Sequence, residues 1–118
     1  MNFYIQLKHR NSLETWSATG ISFIDTLISY NFSSSVNQAF GNNMIQVDNS
    51  PLRFAIFSGD INEDGIIDAT DLSLIDNDAF NSVSGYVKTD LNGDNFVDAS
   101  DLLIADNNAA NVIISITP

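Results

Sequence analysis

Oxygen-bearing side chains recur at fixed spacing in two twelve-residue segments, Asp60–Asp71 and, thirty residues on (90 − 60), Asp90–Asp101. Positions 1, 3, 5, 9 and 12 are Asp60, Asn62, Asp64, Asp68 and Asp71 in the first, and Asp90, Asn92, Asp94, Asp98 and Asp101 in the second. A hard cation such as Ca2+ takes about 6–8 oxygen ligands, and a tight loop that turns alternate side chains inward supplies them. With the main-chain carbonyls of Ile66 and Phe96 at position 7, each set has the spacing of an EF-hand calcium loop, so two bound Ca2+ are expected. Position 6 needs a left-handed backbone, which Gly65 adopts freely and Asn95 tolerates better than most residues. Ile67 and Val97 at position 8 predict a short β-bridge between the two loops.

The repeat continues past the loops. The same offset pairs Leu72 with Leu102, Leu74 with Ile104, Asp76 with Asp106, Asn77 with Asn107, Ala79 with Ala109 and Asn81 with Asn111. Each unit therefore reads as a loop followed by about three helical turns. Leu72, Ile75 and Ala79, and likewise Leu102, Ala105 and Ala109, fall on one apolar stripe. Thr70 or Asp71, and Ser100 or Asp101, are the expected N-caps. Ahead of the loops, Arg53–Gly59 and Ser84–Thr89 are β-branched, aromatic or Gly/Ser-rich and read as extended chain. The units are half EF-hands, with no entering helix.

This pair of half EF-hands resembles the duplicated calcium-loop repeat of a type I dockerin, over roughly residues 58–113. Asp at position 12 (Asp71, Asp101), the Leu that follows it and the missing entering helices all match. The resemblance implies a non-catalytic, calcium-dependent module that tethers a secreted bacterial protein to a cohesin-like scaffold or the cell surface. This sequence departs from the familiar pattern at Asn95, where Gly is usual. It departs again at Asp76-Asn77 and Asp106-Asn107, which replace a common Lys-Arg pair. The expected partner face is Ala69, Thr70, Asp76, Asn77 and Asn81, repeated as Ala99, Ser100, Asp106, Asn107 and Asn111. Near-identity of the two sets fits either a recent duplication or a pseudo-twofold surface that a partner reads in two orientations. Small residues at the helix starts permit close approach, and the Asp-Asn pair asks for Lys or Arg opposite.

Composition agrees. Of fifteen acidic residues, all but Glu14, Asp25 and Asp48 lie between Asp60 and Asp106, where Lys88 is the sole base. Acidic clusters are usually solvated or disordered surface, but these alternate with Ile, Val, Leu and Phe at ligand intervals. A net charge of −11 argues against nucleic acid. No run approaches the ~20 apolar residues of a membrane helix, and the absence of cysteine removes disulfides and thiolate sites. No signal sequence precedes the first strand-like residues, which fits the mature C-terminal part of an extracellular protein, monomeric alone.

Residues 1–57 read differently, as a β-rich lobe or the cut end of a larger β-sandwich. The whole chain is then α+β, with 58–118 as the calcium-binding part. Phe3, Ile5 and Leu7 alternate with Tyr4, Gln6 and Lys8 as in a half-buried strand. Leu13–Ala18, Ser22–Tyr30, Met44–Val47 and Leu52–Phe57 are further strand candidates. Asn31–Gly41 reads as a loop that packs down through Phe32, Val36 and Phe40. Tyr4, Trp16, Phe23, Tyr30, Phe54 and Phe57 read as lobe core before sugar-binding platforms. The tail, Val112–Thr117, is expected to return as a strand beside the lobe.

Catalysis finds little support. His9 is the one imidazole, no serine sits in a nucleophile-elbow pattern, and the carboxylates outside the loops are scattered. A calcium sensor needs entering helices and a Met-rich groove, and these helices hold no Met. The alternative to a tethering module is a calcium-stabilised structural C-terminal domain without a dedicated partner.

Overall fold

The structure is a computed structural model and describes residues 2–22 and 29–118. Short strands come first and helices last: β1 (Asn2–Phe3), β2 (Gln6–Leu7), β3 (Thr15–Trp16), β4 (Ile21–Ser22), β5 (Ile45–Asn49), β6 (Leu52–Ala55), α1 (Ala69–Phe80) and α2 (Ala99–Ala110). The strands pair antiparallel as β1–β4, β2–β3 and β5–β6. The class is α+β, as expected. By its contacts the chain forms two units. One takes in the chain through Lys8, Glu14–Ile56 and Ser115–Pro118; the other takes in His9–Leu13 and Phe57–Ile114.

In the first unit, Gln6 pairs with Trp16 and Leu7 with Thr15, while Phe3 pairs with Ile21. The strand expected across Phe3–Leu7 is broken at Tyr4–Ile5, where Ser17 takes over. The Ser17 Oγ accepts the Ile5 N–H at 3.0 Å, and the Ser17 N–H donates to the Ile5 carbonyl at 2.8 Å. The expected alternation of burial fails with it. Phe3 and Leu7 are exposed like Tyr4 and Gln6, and the buried positions among the described residues are Thr15, Ser17, Ala39, Asn43 and Met44. Strand pairs two residues long present no pleated face wide enough to bury alternate side chains. The aromatics expected as core are half-buried or exposed instead, with Tyr4 edge-on to Phe40 and Tyr30 edge-on to Phe32. Phe57 falls in the other unit, and Phe23 and most of the expected strand Ser22–Tyr30 lie outside the described residues.

Residues 31–41 pack down as expected. They form 3-10 turns at Val36–Gln38 and from Phe40, and the Ser33 carbonyl accepts the Phe54 N–H at 2.9 Å. Gly41, at φ 68°, makes room for Ile116: a Cβ there would lie 2.6 Å from its Cγ2.

In the second unit each helix begins at an aspartate two or three residues earlier than expected. The N-caps are Asp68 and Asp98, not Thr70 or Asp71, nor Ser100 or Asp101. Asp71 and Asp101 are instead the N3 members of capping boxes, accepting the N–H of Asp68 and of Asp98, each at 3.0 Å. The apolar stripes face inward as predicted: Ile75 and Ala105 are fully buried with Ile61 and Val97, and Leu72, Ala79 and Leu102 pack on them.

Both helices end in the same way. Val83 N–H reaches the Asp78 carbonyl and Ser82 N–H the Ala79 carbonyl; Ile113 and Val112 repeat this on Asn108 and Ala109. This is the Schellman arrangement, with Ser82 and Val112 at φ 54° and 55° in the place usually held by glycine.

The left-handed residue reverses the chain and decides how the repeats join. The bridge expected between the loops does not form. Ile66 of the first loop bridges Ile114 behind α2, and Phe96 of the second bridges Ser84 behind α1. Ile67 N–H donates to the Ile113 carbonyl and Val97 N–H to the Val83 carbonyl, both at 3.1 Å. Such exchange of equivalent contacts is what a twofold relation requires. The expected tail strand is likewise replaced by the single bridge at Ile114.

Candidate metal centres

Each loop is closed by its own carboxylates. In the first, Asp60 accepts the N–H of Asp64 at 3.2 Å and of Gly65 at 3.0 Å. Asn62 Oδ1 accepts the N–H of Asp64 at 3.2 Å, and Asp64 Oδ1 that of Ile66 at 3.0 Å. Asp71 Oδ1 reaches back to the N–H groups of Ile61 and Asn62 at 2.8 and 3.3 Å. The second loop repeats these bonds at Asp90, Asn92, Asp94 and Asp101, with Gly93 N–H as an additional donor to Asp90. The oxygens of Asp60, Asn62 and Asp64 each accept one of these bonds and keep a second lone pair, whereas Asp71 Oδ1, Asp90 Oδ1 and Asp101 Oδ1 each accept two.

The backbone explains the residue types. Gly65 and Asn95 take the left-handed conformation expected at position 6, at φ 84° and 71°. Position 4 is left-handed as well, with Glu63 at 58° and Gly93 at 76°, a requirement that sequence reading missed. Each loop therefore places glycine at one of its two left-handed positions and spends strain at the other.

Two clusters result. The carboxylate oxygens of Asp60, Asp64 and Asp71 lie within 4.8 Å of one another, as do those of Asp90, Asp94 and Asp101. Asn62 joins the first cluster through its amide, 3.3 Å from Asp64 Oδ2, whereas the Asn92 amide turns to Ser100 Oγ at 2.9 Å. Asp68 and Asp98 stand apart from these triads, their Oδ1 atoms capping α1 and α2 through the N–H of Thr70 and Ser100.

The electrostatics ask for a cation. Burial pushes the Asp60 carboxyl up to about 6; N–H donation by Gly65 and Asp64 opposes this, and the charges of Asp71 and Asp64 add to it. The exposed Asp98 carboxyl is held below its usual value by the Ser100 hydroxyl and N–H. An all-oxygen donor set, several like charges within ligand distance and a closed loop fit a hard divalent ion. These clusters could hold ions.

The ten residues expected as a partner face are all exposed. The structure brings four of them to one groove between α1 and α2. Ala69, Leu72, Ser73 and Asp76 line one side, and their repeats Ala99, Leu102, Leu103 and Asp106 line the other. Thr70, Asn77, Ser100 and Asn107 are not part of that lining, and Asn81 and Asn111 cap the helix ends by donating to the Asn77 and Asn107 carbonyls. His9 lies with its Nδ1 3.0 Å from Asn11 Oδ1. Among the described residues no helix is long and apolar enough to cross a membrane.

In comparison with known protein families, residues 58–108 match the Dockerin type I domain. No curated protein and no solved structure matches the chain. Dockerins are non-catalytic binding modules that bind calcium and cohesins, and the match covers both carboxylate clusters and most of both helices. Residues 58–108 of this chain are thus similar to a type I dockerin domain.

Proposed function

We propose that residues 58–118 act as a calcium-dependent docking module that tethers a secreted protein to a cohesin-like partner, outside the cell or at its surface. The observation that carries this reading is the duplicated carboxylate triad on loops already closed by equivalent hydrogen bonds. In the first loop Asp60, Asn62, Asp64, the Ile66 carbonyl and Asp71 would hold the ion, with Asp68 acting through water. In the second the set is Asp90, Asn92, Asp94, the Phe96 carbonyl, Asp101 and, through water, Asp98. The ion supplies positive charge that offsets carboxylate repulsion, and the loops in turn hold the helix starts in place. Docking would use Ala69, Thr70, Asp76, Asn77 and Asn81 or their repeats Ala99, Ser100, Asp106, Asn107 and Asn111. The acidic Asp76 and Asp106 at the groove suit a basic residue on the partner.

Calorimetric titration with calcium, followed by capture on immobilised cohesins in calcium and in chelator, tests the proposal. Two ions bound and calcium-dependent capture are expected. Absence of calcium binding would overturn it. Tight calcium binding with no capture by any cohesin would leave a structural role alone.

A further inference from the structure

Neither loop has an entering helix, so the residues ahead of it need another support. Phe57–Gly59 and Val87–Thr89 are equivalent under the thirty-residue offset (87 − 57). Both are held by one segment, His9–Leu13. Toward the first loop, Leu13 N–H donates to the Phe57 carbonyl at 2.8 Å, Ser12 bridges Ser58, and the Asn11 carbonyl accepts the Gly59 N–H at 2.7 Å. Toward the second, Arg10 donates to the Val87 carbonyl and lies over the Tyr86 ring, 3.9 Å from its centroid. The Asn11 side-chain amide donates to the Lys88 carbonyl at 3.1 Å and to that of Asp90 at 3.4 Å. Asn11 is 3 % exposed and Leu13 fully buried, so this is an interior contact.

Asn11 thus touches both loop entrances, at the residue before Asp60 and at Asp90 itself. We infer that His9–Leu13 is a shared brace that makes ion binding in the two loops interdependent, with Asn11 as its positioning residue. The inference rests on the calcium reading above. A brace bonded to both entrances is disturbed when either loop opens, so closing one loop around an ion meets part of the ordering cost of the other. Asn suits the place because its side chain donates while its main chain accepts. Removing the amide strands two carbonyls at the second entrance.

The test is a calcium titration of the full chain followed by amide NMR. Gly65 and Asn95 report the loops separately, since their N–H groups donate to Asp60 and Asp90. In Asn11→Ala the calcium midpoint at Asn95 should rise about tenfold, the worth of one or two buried hydrogen bonds. The Gly65 midpoint should rise in the same direction by about threefold or more. Arg10→Ala should move both midpoints less, and it decides the matter if Asn11→Ala fails to fold. Met44→Ala, at a buried residue outside both the brace and the loops, is the structural control, lowering the melting temperature equally in calcium and chelator without moving the midpoints. An Asn95 shift with Gly65 unmoved would overturn the shared brace, as would two unmoved midpoints. A wild-type chain with no calcium response at either amide would instead overturn the calcium reading itself.

Discussion

The two repeats agree in their loops and exposed faces and differ where they face each other. Their loops close with the same bonds, their helices are capped by the same aspartates and their exposed faces share one chemistry. In the interior, Ile75 on α1 answers to Ala105 on α2, both fully buried. The residue before the first loop, Gly59, lies so close to α2 that a Cβ on it would sit 3.1 Å from the Ala105 side chain. The residue before the second loop is Thr89, whose hydroxyl bonds to Asp78 at 2.6 Å, while Asn108, the repeat of Asp78, bonds to Ser58 at 2.7 Å. A bound ion would impose one donor set on both loops, but a packed interior has to be filled once, so large residues on one side match small ones on the other.

The strongest way to break the comparison is through the loops. Asp64→Ala and Asp94→Ala should each remove one ion and lower the melting temperature in calcium. At calcium about 1,000-fold above the dissociation constant each site contributes about 4 kcal/mol, and calorimetry counts the ions lost. If one substitution removes both ions, the coupling through His9–Leu13 is all-or-none rather than the partial shift expected above. The interior comes next. Ile75→Ala should cost about 3 kcal/mol by denaturant unfolding, with no gain in return, because the space at its repeat is already taken by the Gly59 backbone.

The surface likeness is sharpened by Thr70→Arg with Asn77→Arg in one repeat, Ser100→Arg with Asn107→Arg in the other, and then both. Either set alone should leave most cohesin affinity, while the combination loses about 2–3 kcal/mol in a binding assay. Loss from one set alone would make the twofold relation ancestral only.

A smaller effect appears with pH. The Asp60 carboxyl is raised to about 6 in the fold, so its contribution to stability is present below the unfolded value and is lost as pH rises through about 6. In chelator the melting temperature should fall between about pH 4 and about pH 6.5, and Asp60→Asn should flatten that fall. Asp98 works in the opposite sense and in a lower window: its lowered carboxyl contributes above its unfolded value and ceases to do so as pH drops through the folded one. The smallest change is a gain. Val112 at φ 55° is a β-branched residue in a left-handed position, so Val112→Gly should stabilise by about 1 kcal/mol. Ser82→Gly should stabilise less, and thermal melts compare the two.

Features set by short sequence separations were legible. Ligand spacing, the left-handed turn at Gly65 and Asn95, the two helices and their buried stripes all follow from residues within one loop or a few turns, where backbone geometry leaves few choices. The ligand pattern hides the N-caps, because Asp68 and Asp98 fit position 9 of the loops, although an aspartate three residues before another is also a capping pair. The β lobe was read as longer strands than exist, since a single hydroxyl at Ser17 interrupts a pattern that alternation alone cannot foresee.

What the sequence by itself determined is the chemistry of the loops: which oxygens meet, in what order, and that they do so twice. Only the tertiary structure decided that each loop is sealed by the segment behind the other repeat's helix and that Asn11 braces both entrances. Those contacts join residues as far as 79 positions apart, and many chain paths satisfy the same local preferences. Choosing among them takes the packing of the whole unit, where a buried Ile on one helix and a glycine against the other fit the repeats together.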